Sequence, residues 1–231
     1  MKKTSFKKPL IWFVIFLIFT ALVKLVDVQP VGPDGTMIGF ARINKAVWDK
    51  VGVSTTFYNV TQFFGIVAIG ICLCFAILGV DQLIKRKQLH YVDSKIIAMG
   101  IYYIIVMAFY AFFMFVAINY RPVYINNEPL ESSYPSSHTM LALTVVAAFV
   151  MYNDNFKNVK KKVDRIVFTV ACYVFGAVTV IGRLLSGVHW FTDIIGSVLL
   201  SIAIIEMYKP LCDVIQDIHD KKEAKLASHS A

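Results

Sequence analysis

The sequence predicts an all-α fold, an integral membrane bundle of six helices, and two observations lead to this prediction. First, 58% of the 231 residues are hydrophobic and only 16% are charged, which is more apolar and less charged than an ordinary soluble domain. Second, six stretches are apolar over lengths that approach or reach the roughly 17 to 25 residues that a helix needs to cross a bilayer. A soluble globule is therefore disfavoured, because the core of so short a chain could not hide this much apolar surface.

The six predicted spans follow one another along the chain, which we interpret as a single membrane domain over residues 1–231. The fourth and fifth spans are short, so their ends should extend into neighbouring polar residues. A tail over residues 209–231 follows the last span and is expected in the cytoplasm. The spans are 9–26, 60–80, 96–118, 139–152, 166–181 and 191–208.

The first span follows four lysines, a pattern that secretory signals and membrane anchors share. No cleavage site with small residues follows it, and Lys24 lies near its end, so a retained anchor is favoured. The connection to the second span predicts an interfacial helix, and its position makes control of lipid entry a hypothesis for this segment. The apolar stripe of this helix would consist of Ile38, Ile43, Val47 and Val51.

The net charge of +8 would suggest nucleic acid as a partner of a soluble protein, but the positions of the charges suggest otherwise. If the N-terminus is cytoplasmic, 17 of the 23 Lys and Arg residues lie on the cytoplasmic side and five lie outside. This asymmetry predicts that both termini face the cytoplasm, and it gives no ground for nucleic-acid binding. The inner residues are Lys2, Lys3, Lys7, Lys8, Lys85, Arg86, Lys87, Lys95, Lys157, Lys160, Lys161, Lys162, Arg165, Lys209, Lys221, Lys222 and Lys225.

Two groups of polar residues lie at the outer ends of the spans, on the same side because two crossings separate them. Each residue alone has an ordinary explanation, such as an Arg that reaches to the head groups or a Ser that caps a helix. Polar groups at these positions are costly unless they are used, so their joint occurrence indicates a functional site. The first group runs from Asn119, Tyr120 and Arg121 to Ser136, Ser137 and His138, and the second contains Arg183, Ser186, His189 and Asp193.

These residue types suit the transfer of a phosphoryl group. Two guanidiniums can bind phosphate oxygens bidentately, and the start of a helix offers backbone N–H groups to an anion. An imidazole held by a carboxylate four residues further on, as in His189 and Asp193, can act as a nucleophile. The second imidazole, that of His138, can serve as a general acid.

At these positions the sequence resembles the type-2 phosphatidic acid phosphatase superfamily, which contains six-span membrane lipid phosphatases and soluble relatives. That family carries three motifs, written KxxxxxxRP, PSGH and SRxxxxxHxxxD. The corresponding residues here are 114–122, 135–138 and 182–193. Three positions depart from the motifs, with Met114 in place of Lys, Ser137 in place of Gly and Gly182 in place of Ser. We expect a weaker affinity for phosphate or an altered substrate range to accompany Met114.

The resemblance implies a role for each of the seven candidate residues. His189 would attack phosphorus and form a phosphohistidine, with Asp193 orienting its ring. His138 would protonate the leaving oxygen and then activate water. Neither a metal ion nor another cofactor would be needed. The phosphate would be held by Arg121, Arg183, Ser136 and the backbone N–H groups of Ser137 and His138.

The resemblance also implies the activity, that of a membrane lipid phosphatase acting on a lipid phosphate or pyrophosphate. The short, Lys-rich chain suggests a bacterial plasma membrane, and an outward-facing site favours undecaprenyl pyrophosphate over phosphatidylglycerophosphate or phosphatidate. The expected partners are the phosphorylated lipid and the surrounding membrane lipids, and the oligomeric state stays open.

Three alternatives remain. A lipid phosphotransferase would use the same residues, and a non-catalytic phospholipid-binding protein is favoured only by Met114. A metal site built from His138, His189 and Asp193 is disfavoured, because the neighbouring arginines would repel a cation.

Overall fold

The computed structural model describes residues 4–125, 128–153 and 162–230, and over these ranges the fold is all-helical. The β-pairing in these ranges is limited to two isolated bridges, Gln29 with Ile38 and Tyr120 with Ser132. Five of the lysines assigned to the inner side, Lys2, Lys3, Lys157, Lys160 and Lys161, lie outside the described residues. The helices are α1 (Lys7–Leu25), α2 (Ala41–Val51), α3 (Thr55–Arg86), α4 (Ser94–Phe115), α5 (Ser137–Asn153), α6 (Lys162–Leu185) and α7 (Phe191–Ser230).

The predicted fold class, an all-α membrane bundle, is confirmed. Five helices, α1, α3, α4, α6 and α7, are long and apolar enough to cross a membrane. The remaining apolar helix, α5, has 17 residues, which is the lower end of the usual length of a span. Each of the six predicted spans corresponds to one of these helices.

Several helices extend beyond the apolar stretches that predicted them. Helix α3 has 32 residues where the sequence predicts residues 60–80, and its N-terminus is capped by Ser54, whose side chain accepts from Phe57 N at 3.5 Å. Helix α7 has 40 residues, so the expected tail continues the last span as a helix. Hydropathy detects only the part of a helix that suits lipid, whereas caps and good helix formers extend the helix into water.

Helix α7 is the central element of the bundle. It packs against α1, α4 and α5, and its N-terminal part also contacts α2. Phe16 of α1, Tyr102 of α4 and Leu200 of α7 are fully buried in the shared core. Helices α3 and α6 pack against each other and against α5. Because successive spans run in opposite directions, the N-termini of α5 and α7 lie at the same end of the bundle as the C-termini of α4 and α6.

Helix α2 lies where the sequence predicts an interfacial helix, and it also has a buried face that the predicted apolar stripe does not include. Ile43 is exposed, whereas Ala41 and Asn44 are fully buried. The predicted stripe was expected to meet lipid, whereas the face with Ala41 and Asn44 packs against α7, where Asn44 contacts Thr192. A buried Asn is stable beside a protein neighbour that offers hydrogen-bond partners, whereas in lipid its amide would have none.

Candidate active site

The N-terminus of α7 holds the side chain of Asp193 in place. The Asp193 carboxylate is fully buried, and its Oδ2 accepts from the backbone N–H of Trp190 at 2.9 Å. Trp190 immediately precedes α7, and an acidic residue three positions after the capping residue often accepts from its N–H, as in a capping box. The carboxylate is therefore fixed by the local geometry of the helix start, whatever it does in a reaction.

His189 lies just before this helix and is held through both ring nitrogens. Arg183 Nη2 contacts His189 Nε2 at 3.1 Å, and His189 Nδ1 lies 3.0 Å from the carbonyl oxygen of Ser133. A guanidinium only donates and a carbonyl only accepts, so the proton must be on Nδ1 and the lone pair on Nε2. In this tautomer the lone pair of Nε2 accepts from Arg183.

The Asp193 carboxylate lies further from the ring than the Ser133 carbonyl does, with Oδ2 at 3.6 Å from His189 Nδ1. Burial, together with the positive charges of Arg183 and Arg121, holds the pKa of His189 well below its usual value. The ring is therefore neutral at pH 7. A charge that forms on it during a reaction would meet the nearby carboxylate.

Arg183 brings a nearly inaccessible guanidinium into this site. The residue is 1% exposed, its Nη1 donates to Thr61 Oγ1 at 3.2 Å, and its guanidinium carbon lies 5.5 Å from the centroid of the Tyr58 ring. Its Nε has no partner among the described residues. A buried donor without a partner is costly, so this guanidinium is suited to bind an anion, to which its Nε could donate.

Arg121 is placed by a short antiparallel pairing of residues 119–121 with residues 131–133. Arg121 N donates to Glu131 O at 3.1 Å, and Ser133 N donates to Asn119 O at 2.9 Å. The Arg121 Nε also donates to Glu131 Oε2 at 2.9 Å, while its Nη1 is buried with no partner in the described ranges. The same pairing thus presents the Arg121 guanidinium and the Ser133 carbonyl that accepts from His189.

The start of α5 brings the second histidine and a capping serine. Ser136 is fully buried, and its Oγ accepts from Thr139 N at 3.5 Å, so its hydroxyl caps the helix. The N–H groups of Ser137 and His138 are at the first two helical positions, which lack acceptors within a helix. The ring of His138 is half-buried and fits beside Gly65 of α3, where an added Cβ would be 2.8 Å from His138 Cδ2.

Two adjoining cavities connect these groups. One, of about 290 Å³, is lined by Arg121, Ser137, His138 and Arg183. The other, of about 330 Å³, is lined by Arg121, Ser137 and His189. Ser136 lines neither cavity and lies behind the helix start. All seven predicted residues are therefore in one region, with six beside the two cavities or directly supporting them and Ser136 acting as a cap.

Sequence reasoning assigned no role to the residues that hold these groups in place. Thr61, Glu131 and the Ser133 carbonyl contact the predicted residues directly, and Asn119 donates to Asp193 Oδ1 at 3.3 Å. The sequence places Asn119 in the first polar group, two residues before Arg121, but it does not indicate the contact with Asp193. Within the described ranges no three His, Cys, Asp or Glu side chains are close enough together to hold a metal ion, and this includes the set of His138, His189 and Asp193.

Comparison with known proteins agrees with the resemblance. No curated protein matches the sequence significantly. The crystal structure of a transmembrane PAP2-type phosphatidylglycerolphosphate phosphatase from Bacillus subtilis superposes with a TM-score of 0.56 at 17% identity, covering 93% of this chain and 96% of that one. Aquifex aeolicus LpxE gives a TM-score of 0.40 at 19% identity, covering 71% of this chain and 94% of that one. The family model of the PAP2 superfamily matches residues 112–211, a stretch that contains all seven candidate residues.

Proposed function

We propose that the chain is a membrane lipid phosphatase that works through a phosphohistidine on His189. The observation that carries this proposal is the tautomer of His189, which leaves the lone pair of Nε2 beside a guanidinium with an unpaired donor. A histidine that serves packing alone has no need of a lone pair on Nε2 that faces Arg183 in a cavity that Arg121 also lines. A phosphate bound by Arg183 and Arg121 would bring its phosphorus to this lone pair.

In the first step the phosphate takes over the contact that Arg183 makes with His189. Nε2 attacks phosphorus, a P–N bond forms, and the P–O bond to the leaving group breaks as His138 gives its proton to the leaving oxygen. The resulting imidazolium keeps the proton on Nδ1, which continues to donate to the Ser133 carbonyl oxygen. The Asp193 carboxylate, 3.6 Å from Nδ1, stabilises the new positive charge.

In the second step His138 acts as a base. It takes a proton from water, the water oxygen attacks phosphorus, and the P–N bond breaks to leave inorganic phosphate. The electron pair of that bond returns to Nε2, and His138 again holds the proton that it donates in the next cycle. With a pyrophosphate substrate the same steps apply, and a lipid monophosphate is the leaving group.

An apolar cavity supports a lipid as the substrate. It has a volume of about 420 Å³, lies between α3, α4 and α5, and opens beside His138, with Ile66, Val106 and Leu141 among its walls. An acyl or isoprenyl chain placed there would bring its head group to the two arginines. For a site at the outer face of a bacterial plasma membrane, with both termini in the cytoplasm, we propose undecaprenyl pyrophosphate as the first choice of lipid.

The test is phosphate release by the detergent-purified protein from undecaprenyl pyrophosphate, phosphatidylglycerophosphate and phosphatidate. The rate should fall by about 10³-fold or more in His189→Ala and by about 10²-fold or more in His138→Ala. His219→Ala, a histidine at the opposite end of the bundle, is the matched control and should keep the wild-type rate. In His138→Ala a phosphate ester with a good leaving group should still phosphorylate His189. Its leaving oxygen needs no proton from His138, so only the second step, which needs a base, is lost.

Each failure has a distinct meaning. Release of no phosphate from any of the lipids would exclude a hydrolase with these substrates. Release that persists in His189→Ala would exclude the phosphohistidine. Transfer of the phosphoryl group to an added alcohol in preference to water would identify a phosphotransferase with the same site.

A further inference from the structure

The connection between α1 and α3 packs against the loop that carries His189. We call residues 27–54 the brace segment. Its last residue, Ser54, donates its N–H to Ser186 O at 3.2 Å, and Trp48 Nε1 donates to Gly187 O at 3.0 Å. Gly187 has a φ of +70°, and a Cβ there would be 2.0 Å from Gly52 O, so the two backbones touch. The brace segment is therefore in direct contact with the loop before α7.

Asn44 is the one residue of α2 whose polar side chain is fully buried. Its Nδ2 donates to Gly39 O at 2.8 Å and to Thr192 Oγ1 at 2.8 Å, and its Oδ1 accepts from Thr192 N at 3.0 Å. Both amide hydrogens and the carbonyl oxygen are thus engaged. A side chain with this many bonds is held in a single orientation.

These bonds complete the N-terminus of α7. The first turn of a helix has N–H groups without acceptors inside the helix. Here Asp193 Oδ2 accepts from Trp190 N, and Asn44 Oδ1 accepts from Thr192 N. Asn44, a residue of α2, therefore accepts from a backbone N–H in the first turn of α7. Asp193, the residue after Thr192, accepts from the N–H of Trp190 in the same region.

A second amide connects this cap to the catalytic carboxylate. Asn119 Nδ2 lies 3.5 Å from Thr192 Oγ1 and 3.3 Å from Asp193 Oδ1, and Asn119 Oδ1 accepts from Gly39 N at 3.4 Å. Asn44 and Asn119 thus share both Thr192 and Gly39. The side chains of Asn44, Asn119, Thr192 and Asp193 are each at most 3% exposed. Water therefore cannot easily replace a lost hydrogen bond between them.

We propose that Asn44 is a positioning residue for the proposed phosphatase reaction, acting through Thr192 and Asn119 to keep the Asp193 carboxylate and the His189 ring in the geometry for attack. This inference rests on the proposed function. It assigns the brace segment to the catalytic site, since no other described residue bonds both the backbone and the hydroxyl of Thr192. Asn44 touches neither substrate nor reacting atoms, so its effect is on geometry alone.

The test compares three variants with the wild type, using a short-chain soluble phosphate ester so that lipid delivery does not enter. Asn44→Ala removes all three bonds, and Asn44→Asp keeps the shape and the acceptor but loses both donors. Both should lower kcat by about 10²-fold, the usual effect of a displacement of about 1 Å at a reacting group, with KM changed less than about twofold. Lys45→Ala, at the neighbouring exposed position of α2, should match the wild type.

Histidine labelled with ¹⁵N supplies a readout that a merely structural role would not change. In the wild type His189 should show one tautomer, with the proton on Nδ1, and in Asn44→Ala it should show a mixture of both. All rates are measured well below the melting temperature of each variant, so that the folded fraction is equal. A wild-type kcat in folded Asn44→Ala, or an unchanged tautomer, would overturn the inference. A wild type that hydrolyses no phosphate ester would instead overturn the proposed function, and the tautomer would still decide the role of Asn44.

Discussion

Met114 replaces the cation that the PAP2 motifs have at this position, and its side chain remains beside the site. It is 59% exposed and lines the cavity that also holds Arg121 and His189. The two arginines each keep one buried N–H without a partner among the described residues, so the site retains two cationic groups for phosphate. A third cation at this position would add attraction without displacing either of them.

We therefore expect Met114→Lys to lower the KM for a lipid phosphate by about tenfold, which corresponds to about 1.4 kcal/mol. The gain should shrink at high salt, because the side chain is accessible to ions. The measurement is KM in the purified protein at two ionic strengths. Met114→Gln, which is polar but uncharged, is the control and should leave KM near the wild-type value. An equal improvement in both variants would show that charge is not the cause.

The spacing of the sequence identified the groups that face the cavities but not the groups that hold them. Arg183, His189 and Asp193 were found because they are close together in the chain and share a recognisable motif. Asn44 was not found, because its partner Thr192 is 148 residues away and the predicted apolar stripe of its helix includes Ile43 but not Asn44. A buried polar side chain is recognised by its partner, and the partner is known only from the fold.

Helices α3 and α5 pack against each other, and one close contact between them is at His138. Gly65 of α3 faces the His138 ring, and an added Cβ would be 2.8 Å from Cδ2 and 3.0 Å from Nε2. Real Cβ atoms do not come this near to another heavy atom, so the ring would have to move. The sequence shows Gly65 only as one of several glycines in an apolar helix, and its role depends on how two helices pack.

Gly65→Ala should therefore lower kcat by about 10²-fold, at the lower end of the loss expected for removal of a general acid. The melting temperature need not fall greatly, because Ala favours a helix by up to about 1 kcal/mol over Gly. Gly70→Ala, on the same helix with nothing within 4 Å of the new Cβ, should keep full activity. The kcat values of both variants decide the matter. A wild-type kcat in Gly65→Ala would mean that the ring of His138 has room to shift without loss of function.

The whole molecule has two chemically different ends. The candidate site lies at the end where α5 and α7 begin, and it contains Arg121 and Arg183. Most basic residues are expected at the other end, where α1 begins and α3 ends, including Lys7, Lys85 and Arg86. This asymmetry was predicted from the sequence alone, since it needs only the order of the spans and the position of each charge.

If the basic end faces the cytoplasm, a cysteine at Glu128, an exposed residue beside the candidate site, should be labelled from outside intact cells by a maleimide that cannot cross membranes. The four native cysteines, Cys72, Cys74, Cys172 and Cys212, are first replaced by Ser or Ala. Glu223→Cys, exposed near the end of α7, is the matched control and should react only after lysis. The reverse pattern would place the arginines in the cytoplasm. Undecaprenyl pyrophosphate released at the outer face would then be out of their reach, and the substrate would have to come from the inner leaflet.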